Sequence, residues 1–368
     1  MSDFKSVYNE EVVRALGERV KGAWPEFDAQ AFVRSATAGL DALELMARST
    51  QIAQALSEFL PESFPEAAAI LVASMGEPDD KGGIEGMGGF VHMPLLEWVS
   101  LAGIEEPEVA LDALEQMTKH FSAEFAIRPF IVRHQDVTMA RMDAWSRSDD
   151  WRVRRLATEG SRPRLPWGIR LKAFVEDPTP TLEILGRLVD DEELIVRRSV
   201  ANHLNDVSKD HEDLAAEIAQ GWWDRGSDEA RWAAKHALRT LVKRGHPGAL
   251  AALGFAGAED ATVEALSVTP DVISKGEAVA IAFDVVAGEE AGRLVVDYAL
   301  DRVLANDKRG RKVFKIKVIE VAPGDRVSVA AKRSFKPLST RKYYAGTHHI
   351  EVLLNGRVAA TASFELTE

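Results

Sequence analysis

Apolar residues recur every three or four positions along the first two thirds of the chain, up to about Ala256. This spacing predicts amphipathic helices, and the Pro, Gly and Asp residues between the segments mark where helices start and stop. No stretch in this region alternates like a strand, so the pattern predicts an all-α array. The segments are 28–49, 65–74, 94–101, 107–120, 123–132, 137–146, 182–188, 194–207, 212–222 and 229–244.

The pattern changes after Gly257 to short runs in which β-branched and polar residues alternate. Such runs separated by turn residues predict strands, and Asn355-Gly356 between two of them is a strong hairpin signal. Seven short strands in about 105 residues are typical of an immunoglobulin-like sandwich. The runs are 262–268, 278–286, 293–300, 312–321, 326–331, 348–354 and 358–366.

The helical region contains a weak internal repeat. The sequence DDWRVRRLATE from Asp149 matches EELIVRRSVAN from Glu192, and ARWAAKHAL from Ala230 matches VRRSVANHL from Val196. The offsets, 43 and 34 residues, suit helix pairs of the HEAT type, which stack into a solenoid. We therefore expect a HEAT-like helical domain over residues 1–256 and an immunoglobulin-like sandwich over 258–368.

The composition narrows the chemistry that is open to the chain. It has 368 residues and no cysteine, which excludes disulfides, thiol nucleophiles and zinc sites built on Cys. The N-terminus lacks the basic-then-apolar pattern of a signal peptide, and no apolar run is long enough to span a membrane. We expect a cytoplasmic protein, with no membrane partner.

The net charge of −13 is distributed unevenly along the chain. Residues 1–127 carry 8 Lys and Arg against 22 Asp and Glu, whereas residues 128–172 carry 11 against 5 and residues 302–342 carry 13 against 3. Two basic islands thus interrupt an acidic protein. Local basic surface is what phosphate contacts require, although such islands also occur as solvated faces.

The segment TEGSRPRLPWG, Thr158 to Gly168, follows the arginine-rich helix that begins near Asp149. Glu159 falls in the last turn of that helix, where a negative charge opposes the helix dipole, so either a function or a frayed, solvated helix end accounts for it. The repeat alignment puts Glu159 opposite Asn202, with Asp206 one helical turn further on. Glu159 and Asp206 are therefore expected to share one wall of the helical domain.

Two more side chains are candidates for the same site. Glu124 follows Ser122, where ordinary N-capping and dipole compensation are the alternative explanation. Trp167 stands in a loop stiffened by Pro163 and Pro166, where it either packs over a repeat core or offers an exposed ring to a cation or a nucleobase.

Other motifs are weak. The glycine-rich run GGIEGMGGF at Gly82 lacks the strand before it and the Lys after it that a phosphate-binding loop needs. The nine histidines show no zinc-ligand spacing, and there is no GxSxG nucleophile elbow. The expected chemistry rests on carboxylates, with no metal and no cofactor.

Several segments resemble the bacterial DNA alkylation repair family of HEAT-like DNA glycosylases, in particular its AlkC branch, some of whose members append an immunoglobulin-like domain. The resemblance covers roughly residues 5–255. It implies a monofunctional, metal-free glycosylase that removes cationic alkylated bases such as 3-methyladenine, 3-methylcytosine or 1-methyladenine from double-stranded DNA. The segments that carry it are FAIRPFI at Phe125, VRRLATEGSRPRLPWG at Val153, Asp177 to His211, and ARWAAKHALRTLVKRGHP at Ala230.

The resemblance also implies roles for individual residues. Glu159 would be the main catalytic carboxylate, supported by Glu124 and Asp206, with Trp167 stacking near the sugar of the lesion. The expected DNA contacts of the helical domain are Arg152, Arg155, Arg162 and Arg164. The basic island at 302–342, and not the resemblance, predicts further DNA contacts in the sandwich, with a partner-protein or solubilising surface as the alternative. These contacts are Lys308, Arg309, Arg311 and Lys312, with Lys332, Arg333, Lys336, Arg341 and Lys342 nearby in the same island.

A second hypothesis for the function of the chain belongs to a different class of protein. Repeat solenoids are mostly interaction modules, so a non-catalytic HEAT scaffold that binds DNA or protein is the alternative. Glu159 distinguishes the glycosylase hypothesis from the scaffold hypothesis, because a scaffold that only binds DNA has no reason to place an acid towards phosphates. We expect a monomer in either case.

Overall fold

A computed structural model describes residues 4–78, 87–255, 257–305, 308–336 and 342–368. The chain forms two compact units, residues 1–210 and residues 211–368. The change from helices to strands lies inside the second unit, between Ala252 and Thr262. The first part of the predicted glycine-rich loop, residues 82–86, and the predicted DNA contact Arg341 lie outside the described residues.

The described part of the first unit is built from α-helices joined by short turns and three 3-10 segments. The predicted segment 28–49 is two helices, because the backbone turns at Gly39, whose φ is 71°. The helices are α1 Glu10–Ala23, α2 Ala29–Thr37, α3 Leu45–Phe59, α4 Phe64–Ser74, α5 Met93–Ala102, α6 Pro107–Met117, α7 Arg128–Arg133, α8 Gln135–Trp145, α9 Trp151–Glu159, α10 Lys172–Glu176, α11 Thr179–Leu188 and α12 Leu194–Val207.

Helices α9 and α12, which carry the first two copies of the sequence repeat, pack against each other. The side chain of Asp150 caps α9 by accepting a hydrogen bond from the backbone nitrogen of Arg152 at 2.8 Å. Helix α12 buries Val196, Val200 and Leu204, which recur every four residues and so face one side. This pairing brings the C-terminal turns of the two helices together, and a HEAT-type arrangement remains our interpretation of it.

The second unit begins with four helices, α13 Glu212–Asp224, α14 Asp228–Ala237, α15 Arg239–Arg244 and α16 Pro247–Ala252. The predicted helix over 229–244 is interrupted at Leu238, which separates α14 from α15. Helix α13 packs against α14 and α16. These four helices and the strands that follow them belong to one compact unit.

The strands form two sheets with the orders β1-β3-β6 and β2-β8-β7-β4-β5. Their facing sides bury one apolar core that includes Ile281, Phe283, Tyr298 and Phe364, as expected for a sandwich. The strands are β1 Thr262–Thr269, β2 Val272–Ser274, β3 Ala278–Val286, β4 Gly292–Val303, β5 Arg309–Val321, β6 Arg326–Ser334, β7 Gly346–Leu354 and β8 Arg357–Thr367. All seven predicted strands are present; the short β2, which pairs in parallel with β8, was not predicted.

The predicted hairpin at Asn355-Gly356 is confirmed, since Leu354 pairs with Arg357 across a two-residue turn with positive φ at both positions. The turn also docks the sandwich onto the helices of the same unit. The Asn355 side chain donates to the carbonyl oxygen of Phe255 at 3.1 Å. A Cβ on Gly245 would lie 2.8 Å from the carbonyl oxygen of Asn355, so glycine permits this close approach.

Candidate active site

Glu159 is the last residue of α9, as predicted, but it is not a solvated acid at a frayed end. The residue is 6% exposed, and the next residue, Gly160, leaves no room for a side chain. A Cβ there would lie 2.7 Å from Cγ2 of Ile127. The helix end is therefore packed, and the carboxylate needs partners inside the protein.

Arg162 supplies one partner and links Glu159 to α12. Its Nη1 donates to Oε1 of Glu159 at 2.6 Å, and its Nε donates to Oδ2 of Asp206 at 2.9 Å. Asp206 is 2% exposed and also accepts from Nζ of Lys209 at 2.7 Å. The expectation from the repeat alignment holds in this respect: the acids from the two helix ends lie on either side of one guanidinium.

Arg155 extends the chain of ion pairs to the third predicted acid. Its Nη1 donates to Oε2 of Glu124 at 2.9 Å, and its Nη2 lies 4.0 Å from Oε1 of Glu159. We call Glu124, Arg155, Glu159, Arg162 and Asp206 the carboxylate network. Three acids that are 35 and 47 residues apart along the chain thus alternate with two arginines at one place in the first unit.

Glu124 does not cap a helix. Residues 123–127 form turns, and α7 begins only at Arg128, so the helix dipole gives no reason for an acid at this position. Glu124 accepts at Oε2 from the hydroxyl of Ser122 at 2.7 Å as well as from Arg155. Among the hydrogen bonds of the described residues, those to Glu124 all reach Oε2, which leaves Oε1 available for another donor.

The arginines decide the charge state of Glu159. Burial by itself would raise the pKa of this carboxyl, but Arg155 and Arg162 outweigh it and hold the pKa below the ordinary value. Burial likewise works to lower the pKa values of the guanidiniums of Arg155 and Arg162, and the neighbouring carboxylates raise both. Glu159 is therefore ionised near neutral pH, as a carboxylate and not as a proton donor.

Three buried polar residues, Thr158, Ser199 and His203, form a polar layer next to the network, and no sequence motif predicted it. Thr158 donates to the hydroxyl of Ser199 at 2.6 Å, and its carbonyl oxygen lies 3.0 Å from Nδ1 of His203. Burial lowers the pKa of His203 to about 4, so the ring is neutral and donates from Nδ1. This layer joins α9 to α12 at Thr158, the residue before Glu159. Within the described ranges, no three His, Asp or Glu side chains are arranged as metal ligands.

Trp167 presents its ring at the surface of the first unit. It is 71% exposed, the most of any large apolar side chain in the described residues. This exposure favours the prediction of a ring offered to a ligand over the prediction of a ring packed on a repeat core. Its φ of 64° is unusual for a residue with a side chain. Together with Gly168 and Ile169 it lines a cavity of ≈ 250 Å³ that is also lined by Leu101, Phe121 and Ser122. Because Ser122 also binds Glu124, the cavity adjoins the carboxylate network.

Comparison with known proteins decides the family of the chain. The profile described as DNA alkylation repair enzyme matches residues 105–244, and the C-terminal Ig-like domain profile of uncharacterised protein YhaZ matches residues 262–368. The chain is 37% identical over 369 residues to the uncharacterized protein YhaZ of Bacillus subtilis strain 168, with 100% of both chains covered. The chain belongs to the DNA alkylation repair enzyme family. All five residues of the carboxylate network lie inside the range that the family profile matches.

A solved structure matches over nearly the whole length. It is the Pseudomonas fluorescens alkylpurine DNA glycosylase AlkC bound to DNA containing an abasic site analog. The TM-score is 0.90 and the sequence identity 36%, and the match covers 99% of each chain. The helical region followed by an immunoglobulin-like domain is thus an AlkC-like fold.

The arginines predicted to hold phosphates are all engaged within the first unit. Arg155 and Arg162 belong to the network. Arg164 forms a bidentate pair with Asp210 at 2.9 and 2.7 Å, and Arg152 lies over the ring of Trp151 at 4.9 Å. Sequence alone could not show the pairs with Glu124, Asp206 and Asp210, because these acids lie 31 to 46 positions from the arginines that they bind.

The predicted DNA contacts of the sandwich lie on and beside β5. Arg309 pairs with Asp301 at 2.9 Å and Arg311 with Glu351 at 2.7 Å. Lys308 is exposed just before the strand, and Nζ of Lys312 lies 5.5 Å from the centre of the Phe314 ring. The two lysines are thus the members of this set whose charge is not held by a carboxylate in the described structure.

Proposed function

We propose that this chain is a DNA glycosylase that hydrolyses the N-glycosidic bond of cationic alkylated bases in double-stranded DNA. The substrate bases are 3-methyladenine, 3-methylcytosine and 1-methyladenine, the enzyme is monofunctional, and its own side chains supply the catalytic groups. The observation that carries the proposal is the carboxylate network beside an exposed tryptophan, within a chain 36% identical over nearly its full length to the AlkC glycosylase.

The chemistry of the substrate fits an ionised acid. A base that carries a positive charge is already a good leaving group, so its departure does not need a strong proton donor. The sugar that it leaves has oxocarbenium character, and a carboxylate fixed nearby lowers the energy of that cation. Glu159, whose pKa is held low by two arginines, has the charge that this role requires.

The three acids differ in how they can act. Glu159 and Asp206 have side chains 8% and 3% exposed, and both are fixed by Arg162. They stabilise the developing positive charge on the sugar. Glu124 has a side chain 15% exposed and an oxygen, Oε1, without a hydrogen bond in the described structure. Glu124 orients the attacking water.

Arg155 and Arg162 hold the carboxylates in place and do not bind phosphates. Each would have to leave buried acids to reach DNA, and an unpaired buried charge costs more free energy than an exposed phosphate contact returns. Arg152 and Arg164 are not members of the network, and phosphate contacts by these two remain our prediction. Trp167 adds a cation–π attraction to the lesion of ~1–2 kcal/mol once water is excluded.

The sandwich contributes sequence-independent affinity. Lys308 and Lys312 contact backbone phosphates, assisted by Arg309 and Arg311. Such contacts release counterions and so make affinity depend on salt concentration. In this proposal the protein acts as a monomer, in the cytoplasm, on the DNA of the nucleoid.

The deciding experiment is release of free methylated base from alkylated duplex DNA under single-turnover conditions. The wild type is expected to release the base and leave an intact abasic strand. Glu159→Gln is expected to reduce the rate at least about a hundredfold, since it removes a charge that acts in the transition state. Glu183→Gln is the matched control, because Glu183 is 83% exposed on α11 and pairs with Arg187.

The possible results of this experiment test the glycosylase activity, the role of Glu159 and the monofunctional character separately. No release of any cationic base by the wild type would overturn the glycosylase and favour a binding scaffold. Release at the wild-type rate by Glu159→Gln would overturn only the role of Glu159. Borohydride trapping of a covalent enzyme–DNA complex would contradict a monofunctional enzyme.

A further inference from the structure

Arg128 is the largest fully buried side chain among the described residues, with 0% of its surface exposed. It is the first residue of α7, in the segment FAIRPFI, and none of the roles above uses it. Burial of a guanidinium is unfavourable unless its donors are bonded. Nη2 of Arg128 is buried without a hydrogen-bond partner in the described structure, so the groups to which Nε and Nη1 donate indicate why the residue is there.

Those groups are two backbone carbonyls at the two ends of one loop. Nε of Arg128 donates to the oxygen of Ile169 at 2.7 Å, and Nη1 donates to the oxygen of Gly160 at 2.9 Å. Gly160 directly follows Glu159, and Ile169 comes two residues after Trp167. One planar side chain thus joins the start and the end of the segment that connects the catalytic acid to the tryptophan.

The same side chain packs against the loop beside Trp167. A Cβ on Gly168 would lie 3.2 Å from both Cδ and Nε of Arg128, closer than an ordinary contact. Trp167 itself has a φ of 64°, a backbone conformation that is unfavourable for a residue with a side chain. Such a conformation persists only when its surroundings fix it, and the two bonds of Arg128 fix both sides.

A lysine could not replace this arrangement. The guanidinium is a rigid fork whose Nε and Nη1 point to different acceptors, whereas an ammonium is a single point of charge on a flexible stem. Burial, and then the nearby Arg162, lower the pKa of Arg128 to about 10, which still leaves the group charged at neutral pH. Replacing Arg128 by Lys therefore keeps the positive charge and changes only the geometry of the hydrogen bonds.

We propose that Arg128 is a positioning residue for base excision: it fixes the loop that carries Trp167 relative to Glu159, and it acts through Trp167 without touching the DNA. The inference rests on the proposed function for its catalytic consequence. Its structural content, that Arg128 sets the position of the Trp167 ring, is independent of the reaction.

The test compares Arg128→Lys with Arg48→Lys in the full-length chain. Arg48 is also buried and also donates to backbone carbonyls, those of Leu43, Tyr8 and Asp41, outside the loop and the network. Both proteins carry fluorotryptophan, and the fluorine NMR signal of Trp167 is assigned with Trp167→Phe. We expect Arg128→Lys to shift or broaden that signal and Arg48→Lys to leave it unchanged.

Single-turnover base release gives the second readout. A small displacement of a positioned group can cost up to about a hundredfold in rate, so Arg128→Lys should slow release by about ten- to a hundredfold. In a Trp167→Ala background the same substitution should change the rate less than about threefold, because coupled residues do not add. Equal effects in both backgrounds, or an unchanged fluorine signal, would overturn the proposal.

Gly168→Ala keeps the proposal testable if Arg128→Lys does not fold. The added methyl group crowds the side chain of Arg128, so Gly168→Ala should shift the fluorine NMR signal of Trp167. Its effect on the rate of base release should be mostly lost in the Trp167→Ala background. An unmoved signal counts against the proposal. A wild type that releases no base refutes the proposed function, whereas the fluorine signal still decides the role of Arg128.

Discussion

The guanidinium of Arg162 lies 2.6 Å from the carboxylate of Glu159, three residues before it, and binds Asp206 of the neighbouring helix with its other side. An acid at the C-terminus of a helix is unfavourable by itself. Arg162 offsets that cost, and it fixes the distance between two helices at the same time. The position of Glu159 is therefore a property of the pair of helices and not of α9 alone.

Loss of Arg162 should destabilise the protein strongly. Arg162→Met leaves Glu159 and Asp206 buried and without their shared cation, which is expected to lower the free energy of unfolding by about 3 kcal/mol or more. Urea unfolding followed by circular dichroism measures the change.

Arg164→Met provides the comparison for that experiment. Arg164 pairs with Asp210 in a similar geometry, but the two side chains are 21% and 28% exposed. A pair in contact with water contributes about 0–1 kcal/mol. Equal losses from the two substitutions would contradict the buried character of the Arg162 network.

The rate of base release should be nearly independent of pH from about pH 8 to about pH 5.5, since an ionised carboxylate changes state only near its own pKa. Arg155 and Arg162 hold the pKa of Glu159 below its ordinary value, so the charged form persists as the pH falls. The same sign applies to stability. The contribution of Glu159 is present above the ordinary carboxyl pKa and is lost only as the pH falls through the lower folded value.

Single-turnover rates on DNA alkylated beforehand, measured at each pH, test this expectation. A rate that falls as the pH is lowered from 8 to 6 would show that the essential carboxyl has a raised pKa, and it would transfer the catalytic role away from Glu159. Glu159→Gln should show the same flat profile at a lower level.

Gly356→Ala should destabilise the second unit more than Gly324→Ala does. Both glycines have positive φ, 77° and 75°, so each alanine costs about 1–2 kcal/mol in backbone strain. A Cβ at Gly324 meets open space, whereas one at Gly356 would collide with the backbone of Gly245. The collision should add about 1–3 kcal/mol.

Chemical unfolding of the two variants measures this difference. The additional loss for Gly356→Ala would support the docking of the hairpin turn on the helix end at Gly245. Equal losses of unfolding free energy in the two variants would mean that only the strained backbone conformation matters at Gly356, and not its contact with Gly245.

Removal of Lys308 and Lys312 should weaken DNA binding and reduce its salt dependence. Each phosphate contact contributes about 0.9 to the slope of log affinity against log salt concentration, so the double alanine variant should lose a slope of about 2. Fluorescence anisotropy with undamaged duplex DNA at several salt concentrations measures it. Arg309→Ala is the comparison, because Arg309 is held by Asp301 and should change the slope less.

The sequence predicted the strands better than it predicted the helix boundaries. Strand alternation and the Asn355-Gly356 turn are local signals, and all seven predicted strands are present. The break between α14 and α15 at Leu238 has no Pro or Gly to announce it. Strand β2 is three residues long and is defined only by its partner β8, so its own residues carry little pattern.

The sequence identified the four candidate side chains, Glu124, Glu159, Trp167 and Asp206, but not the groups that hold them. Ser122 bonds Arg155 of the network, and Ser199 and His203 bond Thr158 next to Glu159. These pairs are 33 to 45 residues apart, and no local motif describes such spacings. The sequence analysis included Arg128 only as part of the segment FAIRPFI and assigned it no role. Its two bonds to backbone carbonyls depend on a loop path that periodicity does not describe.

The sequence by itself determined the two kinds of secondary structure, the repeat that aligns α9 with α12, and an acid where a helix alone would not favour one. These are consequences of local spacing and of the helix dipole. The tertiary structure decided that the arginines pair with carboxylates inside the protein, that Glu159 is buried and charged, and that Trp167 is exposed. Those outcomes depend on which distant groups meet and how far water is excluded, and Coulomb energies change with both.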